Sequence, residues 1–220
     1  MDKVEVEKKA IAYLNKNKKI FFEKYTQNVK KSNNKLAILT AGMSGVGKTE
    51  FAIYLKENSN ELLHIDTDEI RNFFQPVGYD GQNAYVFQKP SSRGFSELFN
   101  YALKNDYSLI LDSNLSSINQ ATQNIERLLK REYSVVINYF YNFPKKCFEY
   151  AIRREVVTNR KVPKEVFIKS NINSFTTIIK LKSIFKENII LNFFDKRDDK
   201  FYRNIDSDFL QKEIGNEFDF

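Results

Sequence analysis

The chain has 220 residues, 42% of them hydrophobic, which suits one α/β domain with a sizeable core, and its formal net charge of +7 leaves a nucleic-acid partner open. Its single cysteine, Cys147, excludes an internal disulfide and a zinc site built from cysteines. No apolar run approaches the ~20 residues that cross a membrane, and the charged start MDKVEVEKKA is unlike a secretory signal, so we expect a cytoplasmic protein without a membrane partner.

The predicted elements begin with a charged segment of helical period, residues 3–31, which we interpret as one or two helices. Its pattern does not decide whether these helices cover the core or contact a partner. Strands and helices then alternate. In chain order we predict strand 36–41, helix 47–58, strand 61–66, helix 67–74, a long loop 76–90, helix 92–105, strand 107–114, helix 117–131, strand 133–140, helices 144–158 and 163–186, strand 188–195, an edge strand after the turn in DKRDDKFYRN, and helix 207–217.

This alternation favours an α/β fold in which a parallel sheet carries helices on both faces. In such sheets ligands bind at the carboxyl ends of the strands. Candidate functional residues are therefore expected at the three predicted strand ends near residues 42, 66 and 112.

The first strand end is followed by AGMSGVGKT, residues 41–49, which holds three of the 7 glycines within six positions. The spacing G-x-x-x-x-G-K-T allows backbone N–H groups to surround phosphates, because no side chain keeps the backbone away. We expect Lys48 to reach the β/γ-phosphates and the Thr49 hydroxyl to bind Mg²⁺. An ordinary glycine-rich turn is the alternative, and the position between a strand and a helix favours nucleotide binding. The expected ATP-binding residues are Gly42, Met43, Ser44, Gly45, Val46, Gly47, Lys48 and Thr49.

The second strand end carries HIDTDEIR, residues 64–71. Asp66 or Thr67 can cap the following helix, and Asp68 is placed to accept a proton from an attacking hydroxyl. Arg71, one helical turn after Asp68, could fix that carboxylate or contact an anion. A helix cap with a surface salt bridge would explain the same residues, but the neighbouring phosphate loop favours a base.

The third strand end is Asp112, which closes the apolar strand YSLILD. Its carboxylate is expected to reach Mg²⁺ directly or through water, although a strand-terminal aspartate is also common in ordinary loops. His64, the only histidine, lies in the strand-like run ELLHID, and we interpret it as a packed strand residue. A carboxylate is therefore the better candidate for a general base.

A basic segment follows in AIRREVVTNRKVP, residues 151–163, where Arg153, Arg154 and Arg160 lie near a helix end. Guanidinium groups can neutralise the negative charge that phosphoryl transfer spreads over the transferred group. A solvated basic helix face has the same composition, so this segment alone does not decide the function.

Together, GMSGVGKT, IDTDEIR, the acid at 112, NRKVPKEV and NIILNFFDKRDDKFYRN resemble the zeta toxin family of P-loop kinases over residues 36–205. The resemblance implies a P-loop NTPase or kinase fold, with a helical extension at 1–35 and a kinase domain at 36–220. It implies that MgATP is used to phosphorylate a sugar hydroxyl of the nucleotide sugar UDP-N-acetylglucosamine, which depletes a cell-wall precursor. It also implies a small antitoxin protein as partner.

The resemblance further implies that Lys48 and Thr49 hold the triphosphate and the metal and that Asp68 is the base. Arg154 and Arg160 match the arginines that stabilise the transferred group, with Arg153 as the alternative to Arg154. The helix SSRGFSELF resembles the substrate-binding helix of the family. The candidates for substrate binding are Glu97, Asp112, Asn114, Arg71 and the weaker Arg93.

One departure concerns the third strand end, where the family usually has an acid, Gly and Thr, and this chain has Asp112-Ser113-Asn114. It leaves the exact sugar open. One alternative is a P-loop kinase with another acceptor, such as a nucleotide, a small metabolite or a nucleic-acid 5′ end, for which the aromatic-rich loop 79–87 could stack a base. The other is a nucleotide-binding switch, which needs no acceptor base.

Overall fold

The computed structural model describes residues 2–158 and 163–218, and within these ranges a single sheet of six strands forms the centre. The strand order is β2-β3-β1-β4-β5-β6, and all neighbours are parallel except β6, which runs antiparallel to β5. The predicted parallel sheet is therefore confirmed. The strands are β1 (Leu36–Gly42), β2 (Leu62–Asp66), β3 (Ser108–Asp112), β4 (Ser134–Tyr141), β5 (Ile189–Asp195) and β6 (Lys200–Tyr202).

Helices precede, connect and follow the strands. They are α1 (Lys3–Lys16), α2 (Lys18–Thr26), α3 (Lys48–Asn58), α4 (Thr67–Arg71), α5 (Gln88–Lys104), α6 (Ile118–Leu129), α7 (Pro144–Thr158), α8 (Lys164–Phe185) and α9 (Ser207–Ile214). Short 3₁₀ helices cover Asn72–Val77, Lys186–Asn188 and Gly215–Phe218. None of the helices in the described part of the chain is long and apolar enough to cross a membrane.

Two predicted boundaries are wrong. The helix expected at 67–74 is α-helical only to Arg71 and continues as a 3₁₀ helix. The loop expected at 76–90 ends earlier, because α5 begins at Gln88 and includes Pro90. Proline is tolerated in the first turn of a helix, where its missing N–H has no partner to lose, so Pro90 marks a helix start and not a loop.

Alternating side chains place helices on both faces of the sheet. On β1, Ala37 and Leu39 belong to the larger core cluster, together with apolar residues of α5, α6 and α8. The intervening Ile38 joins a smaller cluster with Ala52 of α3. Because successive side chains of a strand point to opposite faces, α3 covers one face and the other three helices cover the opposite one.

The N-terminal helices contribute to the larger core. Leu14 of α1 and Phe21 of α2 are completely buried in it. On α5, Gly94 makes this approach feasible, because a Cβ there would lie 2.7 Å from Ile70 Cγ2 and 3.4 Å from Phe21 Cζ. The pattern of residues 3–31 left their role open, and the structure shows that α1 and α2 cover part of the core.

The sheet register brings three strand ends together. Asp66, the last residue of β2, pairs with Asp112, the last residue of β3. On the other side of β3, Ile38 of β1 pairs with Ile110, so that Thr40 and the following glycine loop lie beside Asp112. The phosphate loop and both aspartate motifs therefore meet at one edge of the sheet.

Candidate active site

The glycine loop between β1 and α3 has a backbone that other residues would not adopt. Gly42, Gly45 and Gly47 have φ values of +124°, +79° and +98°, in the region that favours glycine. A Cβ on Gly42 would overlap the carbonyl oxygen of Phe140, and one on Gly45 would overlap that of Cys147. The loop is thus pressed against β4 and α7, and its curvature requires glycine.

Lys48, the first residue of α3, folds back over this loop. Its Nζ donates hydrogen bonds to the carbonyl oxygens of Gly42 at 3.0 Å and Met43 at 2.6 Å. Burial lowers the pKa of Lys48 to about 8, and the nearby Arg154 adds to that effect while Asp112 opposes it. The ammonium group is therefore held inside the loop by two neutral acceptors, which phosphate oxygens could replace.

The end of β2 orients Asp68 through a helix cap. Asp66 Oδ1 accepts a hydrogen bond from the backbone N–H of Asp68 at 2.8 Å and so starts α4. Arg71 Nη1 then donates to Asp68 Oδ1 at 2.5 Å, and Arg71 Nη2 donates to Gln88 Oε1 at 2.6 Å. Of the two roles considered for Arg71, fixing the Asp68 carboxylate is the one that this geometry supports.

The arginines of α7 approach the same carboxylate. Arg154 Nη2 lies 3.8 Å from Asp68 Oδ2. The guanidinium carbon of Arg153 lies 5.8 Å from the centroid of the Tyr150 ring. Arg154 is therefore the arginine of this pair that contacts the expected base. Arg160 lies outside the described residues.

The end of β3 holds Asp112 among several donors. Its Oδ1 accepts a hydrogen bond from Thr40 Oγ1 at 2.8 Å, and its Oδ2 lies 3.7 Å from His64 Nε2. Burial acts to raise the pKa of Asp112, but the interaction with His64, hydrogen bonding with Thr40 and Thr49 and the charge of Lys48 together lower it. Asp112 is therefore ionised and directed toward Thr49, the residue expected at the metal.

The neighbouring Asp66 and His64 have shifted pKa values as well. Burial, followed by the charges of Asp68 and Asp112, raises the pKa of Asp66 to about 6. Burial opposes protonation of His64, but interactions with Asp112 and Glu69 raise its pKa to about 9. His64 is buried, as its strand position predicts, and it also lies between two carboxylates, which the sequence does not reveal.

These elements line a cavity of about 950 Å³ that is open to solvent. The expected site residues that line it are Ser44, Gly45, Val46, Gly47, Lys48, Thr49, Asp68, Arg71, Asp112, Asn114 and Arg154. Gly42 and Met43 are buried beneath the loop. The carboxylate that we expect to act as base and the phosphate loop therefore share one cavity.

Glu97 and Arg93 are not among the described residues that line this cavity. Glu97 Oε1 lies 2.6 Å from Arg93 Nη2, and Glu97 Oε2 accepts a hydrogen bond from Lys18 Nζ at 3.1 Å. This side of α5 thus faces α2. The direction of these two side chains depends on how the N-terminal helices pack.

Several lining residues were missed, among them Thr67, Gln88, Ser113 and Ser116. Gln88 orients Arg71, and its position at the start of α5 was hidden because Pro90 made the segment resemble a loop. Asn114, which was expected, donates through Nδ2 to Ser170 Oγ of α8 at 2.5 Å.

Helix α8 also links the third strand end to the phosphate loop. The Ser174 hydroxyl donates to the carbonyl oxygen of Asn114 and accepts from the backbone N–H of Gly42 at 3.0 Å. Ser174 is completely buried. The position of Asn114 relative to the loop is therefore fixed by a side chain 60 residues further along the chain.

A parallel sheet with a G-x-x-x-x-G-K-T loop after its central strand and aspartates at the adjacent strand ends is the architecture of a P-loop kinase. The model of the zeta toxin family matches residues 22–206, and the chain belongs to that family. Among curated proteins, none matches the sequence at a significant level.

Solved structures share the fold at low sequence identity. The PezAT chromosomal toxin–antitoxin system of Streptococcus pneumoniae matches with 18% identity and a TM-score of 0.71, over 94% of this chain and 87% of that chain. The AvrRxo1-ORF1:-ORF2 complex with ATP matches with 11% identity and a TM-score of 0.63, over 90% and 65% of the respective chains. The Pnkp1/Rnl/Hen1 RNA repair complex matches with 14% identity and a TM-score of 0.55, over 80% and 50%.

Proposed function

We propose that this zeta toxin family member is an ATP-dependent kinase that phosphorylates a sugar hydroxyl of UDP-N-acetylglucosamine or a related nucleotide sugar. The observation that carries the proposal is the position of Asp68, which lines the same cavity as the phosphate loop and lies 3.8 Å from Arg154. A nucleotide-binding switch has no need of a carboxylate fixed opposite its phosphate loop. Membership of the family supports the acceptor and the role as a toxin.

The loop fits the phosphates of ATP. Its glycine backbone presents N–H groups without intervening side chains, and the N-terminus of α3 adds a positive end. Lys48 would exchange its two carbonyl acceptors for phosphate oxygens, which raises its pKa again because an anion replaces neutral groups. The residues that would hold the triphosphate are Gly42, Met43, Ser44, Gly45, Val46, Gly47, Lys48 and Thr49.

Thr49 and Asp112 would hold Mg²⁺ beside these phosphates. A hydroxyl and a carboxylate are oxygen ligands of the kind that Mg²⁺ prefers. Thr49 and Asp112 both line the cavity beside the phosphate loop, so their oxygens can reach one ion there. When bound, Mg²⁺ neutralises charge on the transferred phosphoryl group.

In the proposed reaction, Asp68 aligns the acceptor hydroxyl and takes its proton as the new O–P bond forms and ADP leaves. Arg71 keeps the carboxylate in place. Lys48, Arg154 and, by family resemblance, Arg160 offset the charge that develops on the transferred group.

The acceptor would lie against the uncharged side of the cavity. Thr67, Gln88, Ser113, Asn114 and Ser116 offer hydroxyl and amide groups there, which suits a sugar. Glu97 was a candidate for binding the sugar, but it does not line the cavity, whereas Asn114 and Gln88 do, so we assign that role to these two residues.

The acceptor is tested by incubating the protein with labelled ATP and a panel of UDP-sugars, nucleosides, small hydroxylated metabolites and 5′-hydroxyl oligonucleotides. We expect label in a phosphorylated UDP-sugar. Label in another acceptor would contradict the assignment of the nucleotide sugar as substrate but would support the assignment of the protein as a kinase. Release of inorganic phosphate without any labelled product would support the switch and contradict the kinase.

We further propose that a small antitoxin protein restrains the enzyme in the cytoplasm, where its substrates are found. Expression of the wild-type chain is then expected to arrest bacterial growth, whereas Asp68→Asn is expected to be tolerated at the same protein level. An active wild-type protein that leaves growth unchanged would contradict the role as a toxin.

A further inference from the structure

His64 is a buried imidazole whose two nitrogens both face carboxylates. Its side chain is 3% exposed. Nδ1 lies 3.5 Å from Glu69 Oε2, and Nε2 lies 3.7 Å from Asp112 Oδ2. The second distance is too long for a hydrogen bond, and Nε2 and Oδ2 are buried without a hydrogen-bond partner in the part of the chain that the structure describes. Two buried polar atoms thus face each other across a gap.

Asp66 completes a cluster around that gap. One ligand atom from each of His64, Asp66 and Asp112 lies within 4.8 Å of the other two. Asp66 uses Oδ1 to cap α4. The three residues belong to the ends of adjacent strands, and the register Asp66–Asp112 fixes their spacing.

We propose that His64 Nε2, Asp66 and Asp112 Oδ2 bind a divalent first-row transition ion such as Mn²⁺, Co²⁺ or Zn²⁺. Imidazole nitrogen suits transition ions, whereas Mg²⁺ takes oxygen ligands. With metal–ligand bonds of about 2.1 Å, two ligands of a tetrahedral ion lie about 3.4 Å apart. The observed 3.7 Å between Nε2 and Oδ2 is close to that separation.

Glu69 supports the same assignment from the far side of the ring. A metal-binding histidine usually donates its second N–H to a carboxylate, which fixes the tautomer and the ring orientation. Glu69 stands in that position, because its Oε2 lies 3.5 Å from His64 Nδ1. Glu69 therefore lies on the Nδ1 side of the ring, and the two aspartates lie near Nε2.

The competing account is a protonated His64 that forms ion pairs with Glu69 and Asp112 and binds nothing. The two explanations require different protonation states of His64. Nε2 carries a proton in the ion pair, whereas a metal ion must displace that proton in order to bind. The two explanations also predict different responses to added ions. A metal site responds to Zn²⁺ and not to Mg²⁺, whereas an ion pair that binds no metal does not distinguish the two ions. The site shares Asp112 with the proposed magnesium site, but it requires neither nucleotide nor acceptor, so its test is independent of the kinase activity.

The wild-type chain allows a direct test, because it contains one histidine. Without an affinity tag and without nucleotide, its imidazole gives a single set of NMR resonances. We expect one equivalent of Zn²⁺ to shift this set, Mn²⁺ to broaden it, and excess Mg²⁺ to leave it unchanged. Resonances that do not change on addition of either Zn²⁺ or Mn²⁺, or that change equally with Mg²⁺, would contradict the proposed site.

Variants then assign the ligands by calorimetric titration with Co²⁺. We expect His64→Asn to lose Co²⁺ binding and Glu69→Gln to weaken it by about 10- to 100-fold. Glu61→Gln, at an exposed position, is the matched control and should bind as the wild type does. Circular dichroism establishes that each variant is folded. Unchanged Co²⁺ affinity in folded His64→Asn would contradict the proposal, and the NMR titration tests it even if that variant does not fold.

Discussion

Arg71 Nη1 lies 2.5 Å from Asp68 Oδ1, and the arginine that makes this contact is only 2% exposed. A buried guanidinium needs partners for its donors, and here the second one is Gln88 at the start of α5. The proposed base is thereby tied to two helices. The direction of the Asp68 carboxylate is therefore fixed by the buried Arg71, which is itself held by Gln88.

Substitution of Arg71 by lysine tests this positioning. An ammonium group cannot replace a fork that bonds Asp68 and Gln88 at once. We expect the kcat for phosphoryl transfer to fall by about 100-fold while the KM for ATP changes little, because displacement of about 1 Å at the reacting group has that effect. Steady-state kinetics measure both constants. Arg203→Lys, at an exposed position, is the control, and an equal kcat in both variants would show that Arg71 does not position the base.

Substitution of Lys48 by alanine tests the phosphate loop. The variant lacks the ammonium group that Lys48 holds inside the loop, so we expect both ATP affinity and transfer to be lost, with Kd raised at least ~10-fold. Calorimetric titration with ATP measures the affinity. Lys104→Ala, on the exposed surface of α5, should bind as tightly as the wild type. Tight ATP binding by Lys48→Ala would show that the nucleotide lies elsewhere.

Two glycines with positive φ separate backbone strain from steric overlap. Gly42 and Gly78 have φ values of +124° and +102°, but a Cβ on Gly42 would overlap the Phe140 carbonyl oxygen, whereas one on Gly78 meets nothing within 4 Å. We expect Gly78→Ala to reduce the free energy of unfolding by about 1 kcal/mol, and Gly42→Ala to reduce it by about 3 kcal/mol or more. Denaturant unfolding monitored by circular dichroism gives both values. Equal losses would mean that the contact between the loop and β4 relaxes freely.

Arg197 forms ion pairs with Asp195 at the end of β5 and with Glu217 of the C-terminal segment, and the pair with Asp195 predicts acid sensitivity. Arg197 Nη2 lies 2.8 Å from Asp195 Oδ2, and Arg197 Nη1 lies 3.0 Å from Glu217 Oε1. Burial acts to raise the pKa of Asp195, but hydrogen bonds from Arg197 lower it below its usual value. A carboxyl group with a depressed folded-state pKa stabilises the fold above its unfolded pKa of ~3.9, and this contribution is lost as the pH falls through the folded value.

We therefore expect Arg197→Met to reduce the free energy of unfolding by about 3 kcal/mol at pH 7, because Asp195 is left buried without its partner. The difference from the wild type should shrink as the pH falls below ~4. Glu217→Gln is the control, since Glu217 is partly exposed and its pair is worth about 1 kcal/mol or less. Urea unfolding across this pH range measures both, and a loss in Arg197→Met that does not depend on pH would contradict the assignment.

The sheet and the phosphate loop could be predicted because their signals are local. The G-x-x-x-x-G-K-T spacing and the apolar strand that ends in Asp112 each lie within a few residues. The contact between Arg71 and Asp68 follows from helical spacing in the same way. These features need no knowledge of distant segments.

The parts that could not be predicted depend on distant contacts. Glu97 was expected at the sugar, but its direction is set by Lys18, 79 residues earlier in the chain. His64 gave no sign of its two carboxylate neighbours, because Asp112 reaches it only through the register of β2 and β3. Gln88 was missed because a proline in the first helical turn looks like a loop residue in the sequence.

Whether Asp68 takes the proton of the acceptor is tested most directly by comparing ATP binding with single-turnover phosphoryl transfer in Asp68→Asn. The amide keeps the size of the side chain but removes its basicity. We predict an ATP affinity within about threefold of the wild type and a transfer rate to the UDP-sugar at least ~100-fold lower, with Asp208→Asn on α9 as an unaffected control. Transfer by Asp68→Asn at the wild-type rate would contradict the role of this carboxylate as the base.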